Sequence, residues 1–567
     1  MAMREQLRDL RKKEIRLTER YNLETKVVDP LTVVLATPRN HFFSALSIGH
    51  LVLYDHINRN PDIPAIADRA FFYDFLKDSS GKEGHLLGLE GEKEIRKADI
   101  LGFSLSNPLE FPQFFKLMDL IRLPYRSVDR EYPIVVGGGH GFTNPEPMAD
   151  FFDVFILGEG AQPLEKLINL LYESKKRGDN KQSFLHNAKS ITGVYIPAHF
   201  DFQFKNAGRI ARIIPKSDYD TVRIQRGNTE GLRGSSVVMV DGFASLLVAT
   251  GCKEKCHYCQ LGRDRFSVIA EEEAKQTIDD FVRAGARVIG LQAGTPTQVP
   301  HLTDLIKYIN SKGNIKLIVG SLLLNEITDE LLKCLKDSQA ISSRAYYLEG
   351  AERSSINIAP ETVASRTLRR LNRPFEEEAI EPILRKIAKY NFDEVIMNLM
   401  DVGDKASLDA MSDMLSFAYN LFDKHTYIVA QVNPLIPSPN TVAQRMEMLD
   451  VDEFTKDMNY VRSRIAQNIG TAEFGDRLTL QPLPEGCILY EAVTMRNDRR
   501  IGEVLENMHR KGIGLEDLDK RTLFTVMSEE EYEQCRSGKD LTDVLPWDHI
   551  KYGVSLEKER NLLHEEY

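Results

Sequence analysis

The feature that most narrows the fold is a recurrence of short apolar runs that end in glycine, serine or proline, each followed by a segment of helical periodicity. LTVVLATP (31–38), ADILGFSLS (98–106), YPIVVGGG (132–139) and DVFILGEG (153–160) set the pattern. Runs this short, apolar on both faces and alternating with helices, read as buried strands of a parallel sheet. Residues 31–178 are therefore expected to form a doubly wound, Rossmann-like α/β sheet. Such a sheet binds ligands beyond the carboxyl ends of its strands. The small residues at those ends are Ser104, Ser106, Gly137, Gly138, Gly139, Gly158 and Gly160.

The alternation resumes at about residue 236 with ARVIGLQAG, IKLIVGSL, SSINIAPE, EVIMNLM and YIVAQVNPLIP. With the apolar segment before residue 251 these make six strand–helix units, too few for a closed eight-unit barrel of about 250 residues. Residues 236–450 are thus expected to be a partial, TIM-like (β/α)6 barrel, open on one side. Residues 1–30 read as a charged helical leader. Residues 179–235 read as a linker with a hairpin around ITGVYIPAHFDFQF, and 451–567 as a smaller, mainly helical or mixed C-terminal domain. There Trp547 is expected to anchor the tail LPWDHIKYGVS by burial.

The six cysteines are distributed unevenly: none precedes residue 252, three follow within eight positions, and Cys334, Cys487 and Cys535 lie far apart. A disulfide framework would space them over a small secreted domain, so a reduced protein with one metal site fits better. GCKEKCHYC can fold Cys252, Cys256 and Cys259 onto one iron–sulfur cubane, leaving one iron without a protein ligand. The alternative is structural zinc, which wants four closed ligands and would have to recruit His257. The net charge of −11 speaks against a nucleic-acid partner. No apolar run approaches the roughly 20 residues of a membrane span, and the first residues lack a signal-peptide core, so a cytoplasmic protein is expected.

The spacing C-x3-C-x-aromatic-C after the first strand of the second series resembles the radical S-adenosylmethionine (SAM) superfamily. That resemblance implies one 4Fe–4S cluster on Cys252, Cys256 and Cys259, with SAM on the open iron. It also implies an electron donor of flavodoxin or ferredoxin type. INIAPETVASRTLRRLNRPF is similar to the superfamily's SAM-contacting strand and helix, which assigns Asn357, Ala359, Glu361 and Ser365 to SAM. Tyr258 is the aromatic of the cysteine motif. LQAGTP, with Gln292, Gly294 and Thr295, stands where relatives carry a Gly-Gly-Glu-type turn, and differs from it in lacking the acid. VNPLIPSPNT, beginning at Val432, is similar to the strand that lies along the adenine.

VVGGGHGFTNPEPMADFFDVFILGEGAQPLEKLI (135–168) resembles the cobalamin-binding module that precedes the barrel in one subfamily. The resemblance assigns His140 and Glu159, with the strand-end serines and glycines above, to cobalamin. No Asp-x-His-x-x-Gly motif is present, so cobalt is expected without a protein histidine. His41 and His140, on strand-end loops, are expected to be satisfied or solvated residues. Without the resemblance, glycine-rich strand ends serve phosphates, nucleotides or tight packing equally well. The function implied is a cobalamin-dependent C-methyltransferase acting on an unactivated carbon, with peptide or protein side chains, lipids and small metabolites all open as substrates. The alternatives are a radical rearrangement, cyclisation or oxidation without methyl transfer, and a cobalamin- or redox-sensing protein. A methylthiotransferase would need a second set of cysteines before residue 252, and there is none.

Overall fold

A computed structural model describes residues 2–17, 26–45, 47–72, 86–205, 209–216, 219, 221–225, 238–338, 340–342, 353–470 and 477–564. Of the expected linker, residues 206–208, 217–218, 220 and 226–235 lie outside them. The chain is a mixed α/β protein with parallel sheets, divided into two compact units. The first comprises Met1–Asp241, Tyr490–Cys535 and Asp540–Val554. The second comprises Gly242–Leu489, Arg536–Lys539 and Ser555–Tyr567. Residues 451–567, expected as a domain of their own, are thus shared between the two units. No helix among the described residues is long and apolar enough to cross a membrane.

In the first unit α1 (Ala2–Lys13) leads to the sheet strands β1 (Leu31–Ala36), β2 (Ala65–Ala70), β3 (Ile100–Ser104), β4 (Ile134–Gly138), β5 (Val154–Ile156) and β6 (Val194–Tyr195). Their spatial order is β2-β1-β3-β4-β5-β6, parallel except for β6. The order reverses between β1 and β3, the point at which doubly wound sheets open a crevice at the carboxyl ends of their strands. The helices α2 (Ile48–Arg59), α3 (Phe111–Ile121) and α4 (Ala161–Arg177) follow strands of this sheet. The α3 side is filled by aromatic rings: Phe114 and Phe152 have centroids 4.8 Å apart, and Phe115–Phe151 and Phe142–Phe155 are at 4.9 Å. The leader is helical only through Lys13. Glu14–Arg16 is extended and pairs antiparallel with Val238–Val240, because Glu14 is drawn to the buried Arg69 and His41. The linker hairpin is present, with Phe200–Phe204 against Ile210–Pro215.

Residues near the end of the sequence complete this unit. Val222 and Arg223 pair in parallel with Ile550 and Lys551, and Trp547 is only 3% exposed. The fully buried carboxylate of Glu146, in the Pro-Glu of the glycine-rich stretch, accepts from Arg499 Nε at 2.9 Å. It also meets the Tyr195 hydroxyl, and His549 Nε2 lies 3.3 Å away.

Gly158 shows how tightly the strand ends pack. It has φ of +93°, and a Cβ there would sit 2.0 Å from the Gln225 carbonyl oxygen. An L side chain is unfavourable in that conformation and has no room. Gly158→Ala is expected to destabilise the first unit by about 2–3 kcal/mol with no cofactor present, read as a fall in the urea midpoint.

In the second unit seven parallel strands alternate with helices. They begin β7 (Phe243–Leu247), α5 (Glu271–Arg283), β8 (Val288–Gln292), α6 (Leu302–Asn310), β9 (Lys316–Val319) and α7 (Asp329–Asp337). They continue β10 (Ser355–Glu361), α8 (Ser365–Arg370), α9 (Ile380–Ala388), β11 (Glu394–Asp401), α10 (Lys405–Leu421), β12 (Tyr427–Pro434), α11 (Val451–Ile469) and β13 (Leu478–Pro482). Strands β7-β8-β9 form one run and β10-β11-β12-β13 another, with an isolated parallel bridge from Leu322 to Ile358 at the junction. Among the described residues β7 and β13 are not paired with each other, so the array is not closed. All six expected strands are present. The seventh, β13, lies in the stretch assigned to a C-terminal domain: α11 and β13 simply continue the alternation, α11 being fixed at its start by a capping box on Asp450 and Glu453.

Alternation along each strand separates two faces. Val395, Met397, Leu399, Ile428, Ala430 and Val432 are almost fully buried, as residues packed under helices are. Asn357, Asn398, Gln431 and Gln481 share the other face: the last three lie in one register, and Asn398 Nδ2 donates to Asn357 Oδ1 at 2.9 Å. A cavity of about 200 Å³, bordered by Asn357, Ile396 and Gln431, opens at this array.

Candidate functional site

The cysteine loop leaves the array just past β7 and is closed by a short antiparallel pairing of Ala249–Thr250 with Ser267–Val268. Gly251 makes the turn with φ of +66°, where a Cβ would stand 2.7 Å from the Arg265 carbonyl oxygen. Cys252 and Cys256 are each 8% exposed and Cys259 is half-buried. Burial pushes the Cys256 and Cys259 thiols up, the latter to about 11, with Arg373 opposing the rise at Cys256. Among the described residues no three His, Cys, Asp or Glu side chains converge as on one metal ion. Three thiols in one loop are the donor chemistry of an iron–sulfur cubane with one open iron. His257, the fourth ligand zinc would need, has Nδ1 2.8 Å from the Arg370 carbonyl oxygen, and its backbone N–H and C=O are bonded to Leu371 and Ala443.

The structure brings most of the residues assigned to SAM to this loop. Thr295 Oγ1 lies 3.3 Å from Cys252 Sγ. A Cβ on Gly294 would come within 3.1 Å of the Gly251 carbonyl, so the β8 turn packs directly on the cysteine loop. Gln292 is exposed at the end of β8. From β10, Ala359 offers its carbonyl to Arg373 Nη2 at 2.7 Å. Glu361 has φ of +63° after a register shift in β10, a bulge that re-aims the end of the strand. Burial raises the Glu361 carboxyl above its ordinary range, with Arg373 opposing. Tyr258 receives a hydrogen bond from Arg373 Nη1 at 3.0 Å. Two residues stand apart. Ser365 caps toward Glu377, with Oγ to Oε2 at 2.7 Å. Val432 turns its side chain to the helix face, opposite Asn357, and its carbonyl accepts from Leu483 N–H.

Arg373, which no motif singled out, is the hub of this arrangement. Besides Ala359 and Tyr258 it reaches Cys256 Sγ with Nη1 at 3.5 Å. It places a fixed positive charge beside a thiol and ties the cysteine loop to β10. The only signal in the sequence is its place in NRPF, at the end of the stretch assigned to SAM.

At the carboxyl edge of the first unit's sheet, Ser106, Gly139, His140 and Gly158 are exposed, and Ser104, Gly138, Glu159 and Gly160 half-exposed. This rim is open to a ligand. Gly137, Gly139 and Gly158 are accounted for by contacts within the chain. A Cβ on Gly137 would meet Phe155 at 2.7 Å, and one on Gly139 would meet the Leu105 carbonyl oxygen at 2.3 Å. Glu159 Oε1 accepts from Ala161 N–H at 2.7 Å. His41 is satisfied by Glu14 at 2.8 Å and His140 is solvated.

One titrating pair lies outside these contacts. Burial raises Asp401, at the end of β11, to about 7, and Asp457 on α11 adds to the effect. Its folded pKa exceeds the unfolded one, so its contribution is full below pH of about 4 and is lost as pH rises through about 7. Asp401→Asn should flatten this loss, which is on the order of 1 kcal/mol per pH unit. Melting temperatures at acidic and alkaline pH check it: the variant should gain on the native chain only on the alkaline side.

Comparison with known proteins follows the same division. The family model for radical SAM proteins, N-terminal, matches residues 49–197, and that for the radical SAM superfamily matches 246–418. The uncharacterized protein MJ0966 of Methanocaldococcus jannaschii is 23% identical over 371 residues, 62% of this chain and 70% of that protein. The cobalamin-dependent S-adenosylmethionine radical enzyme OxsB, with aqua-cobalamin and S-adenosylmethionine bound, aligns at 13% identity and TM-score 0.45. That alignment covers 94% of this chain and 78% of OxsB. With aqua-cobalamin alone the values are 15% and 0.43, covering 68% of this chain and about half (52%) of OxsB. SuiB of Streptococcus suis aligns at 12% identity and TM-score 0.31, covering 44% of this chain and 50% of SuiB.

Proposed function

The chain belongs to the radical SAM superfamily, and from that premise we propose that it is a cobalamin-dependent C-methyltransferase. One observation carries the radical half of this reading: Thr295, in the turn after β8, and Arg373, in the turn after α8, both touch the cysteine loop, at Cys252 and Cys256. Cys252, Cys256 and Cys259 would hold one 4Fe–4S cluster, which when bound supplies the electron that cleaves SAM into methionine and a 5′-deoxyadenosyl radical. The chain's own residues then have definite tasks. Glu361 and the β8 turn bind SAM's polar end, and Asn357 and Ala359 line its path along β10. Tyr258 packs over the loop, and Arg373 fixes the loop against β10. The half-buried amides Asn398, Gln431 and Gln481 face the array's open side, where a substrate carbon could approach.

The exposed rim of the first unit, with Ser104, Ser106, Gly138, His140, Glu159 and Gly160, would hold cobalamin without a histidine on cobalt; when bound, it supplies the methyl group. A flavodoxin- or ferredoxin-type donor would deliver electrons, and a peptide or protein side chain is one substrate class the open array could admit. A second reading, radical chemistry without methyl transfer, is favoured by one observation. Gly137, Gly139 and Gly158 are explained by contacts within the chain and need no corrinoid.

Anaerobic loading with hydroxocobalamin followed by desalting separates the two. About one corrinoid per chain, lowered by Gly160→Trp on the rim, supports the methyltransferase. A chain that retains no corrinoid but still cleaves SAM leaves only the second reading. With corrinoid bound, SAM labelled in its methyl group should pass label to the eventual substrate.

A further inference from the structure

The cysteine loop is held from behind by a helix that belongs to none of the strand–helix repeats. Helix α12 (Leu556–His564) buries the Glu559 carboxylate to 1% exposure. Its two oxygens accept from Gln444 Nε2 at 2.6 Å and from Arg445 Nε at 2.8 Å, both in the short segment after β12. That segment in turn grips the cysteine loop: Ala443 N–H donates to the His257 carbonyl at 3.0 Å, and Gln260 Nε2 donates to the Pro439 carbonyl at 2.9 Å. Leu562, one turn along α12, packs with Leu371, Val442, Ala443 and Met446, and Tyr258 lies against that cluster.

Each link is short, and together they run from Glu559 through residues 439–446 to the residues between the cysteines. Glu559 touches neither a thiol nor the face that would take SAM. Its carboxylate nevertheless holds the Gln444 and Arg445 side chains together. A buried ion pair of this kind contributes little net stability beyond an apolar pair, but removing one partner is costly and frees the other to move. We infer that Glu559 is a positioning residue for the cysteine loop, and that α12 is a strap that slows escape of the metal held there. This rests on the reading of Cys252, Cys256 and Cys259 as cluster ligands. Partners behind metal ligands commonly change metal retention by about ten- to a hundredfold when removed.

The test is the rate at which the anaerobically reconstituted full-length protein loses its visible iron–sulfur absorbance to excess EDTA under argon. Glu559→Gln keeps the volume and one hydrogen-bonding edge but removes the charge, and Glu559→Ala removes both. Arg477→Met is the control: it deletes a half-buried guanidinium of the same unit, one that donates to the Tyr419 and Phe422 carbonyls. The inference expects both Glu559 variants to load iron as the native chain does and to release it about tenfold faster, with Arg477→Met at the native rate. Native release rates in both Glu559 variants, or equal acceleration in Arg477→Met, overturn it while leaving the cluster intact. A native chain that takes up no iron overturns the cluster reading itself, and the inference with it.

Discussion

Cys256→Ser is expected to load poorly with iron and to lower SAM cleavage by at least about a hundredfold, with little change in the melting temperature of the iron-free chain. Serine keeps nearly the same volume at a site that is 8% exposed, so packing hardly changes. What changes is the donor: an alkoxide is harder and far more basic than a thiolate, and iron–sulfur clusters are held by thiolate. Cys256 is also the cysteine against which Arg373 rests, so the substitution removes the sulfur on which the tie to β10 converges. Iron per chain, visible absorbance and 5′-deoxyadenosine after adding SAM and reductant are the readouts. Cys334→Ser, distant in sequence and outside the loop, should leave all three unchanged.

Breaking the Glu146 network should have the largest effect on stability. Burial by itself would raise the Glu146 carboxyl, yet Arg499, His549 and Tyr195 outweigh it and hold the group at about 2. The folded pKa lies below the unfolded one, so this contribution is complete above pH of about 4.5 and is lost as pH falls toward about 2. Glu146→Ala leaves Arg499 without its anion beside the Phe202 ring, 4.4 Å from guanidinium carbon to centroid. The expected cost to the first unit is about 3–5 kcal/mol. Arg499→Ala should cost a similar amount by stranding the fully buried carboxylate. In the native chain stability should fall steeply in acid, and in Glu146→Ala that part of the fall should be missing. Denaturant titrations at neutral and acidic pH measure both.

What the sequence made legible follows from the range of the interactions involved. Strands such as YPIVVGGG and EVIMNLM declare themselves because burial on both faces forces a local composition, and every expected strand of both series is found. The cysteine loop was equally legible, since its spacing is itself the chemistry. Strand β13 was missed because LTLQP is short and half-polar, and its edge position in the array relaxes the apolar pattern. Arg373 carries no local signature: its role exists only when β10 and the cysteine loop meet. The partnership of Glu146 with Arg499 and His549 spans more than three hundred residues, and no periodicity reports such a pair. It also ties residues 490–535 and 540–554 to the first unit. The glycines are a different case. The sequence marks Gly137, Gly139 and Gly158 as special, and each is pressed against its own chain, a reason that composition cannot distinguish from ligand binding.

The most direct test of the central claim is to reconstitute the native chain anaerobically with iron and sulfide, desalt it, and assay 5′-deoxyadenosine with SAM and dithionite. The account predicts about four irons per chain and 5′-deoxyadenosine formation that vanishes in Cys252→Ser, Cys256→Ser and Cys259→Ser. Zinc in place of iron, or a fully loaded chain that leaves SAM intact, would contradict it.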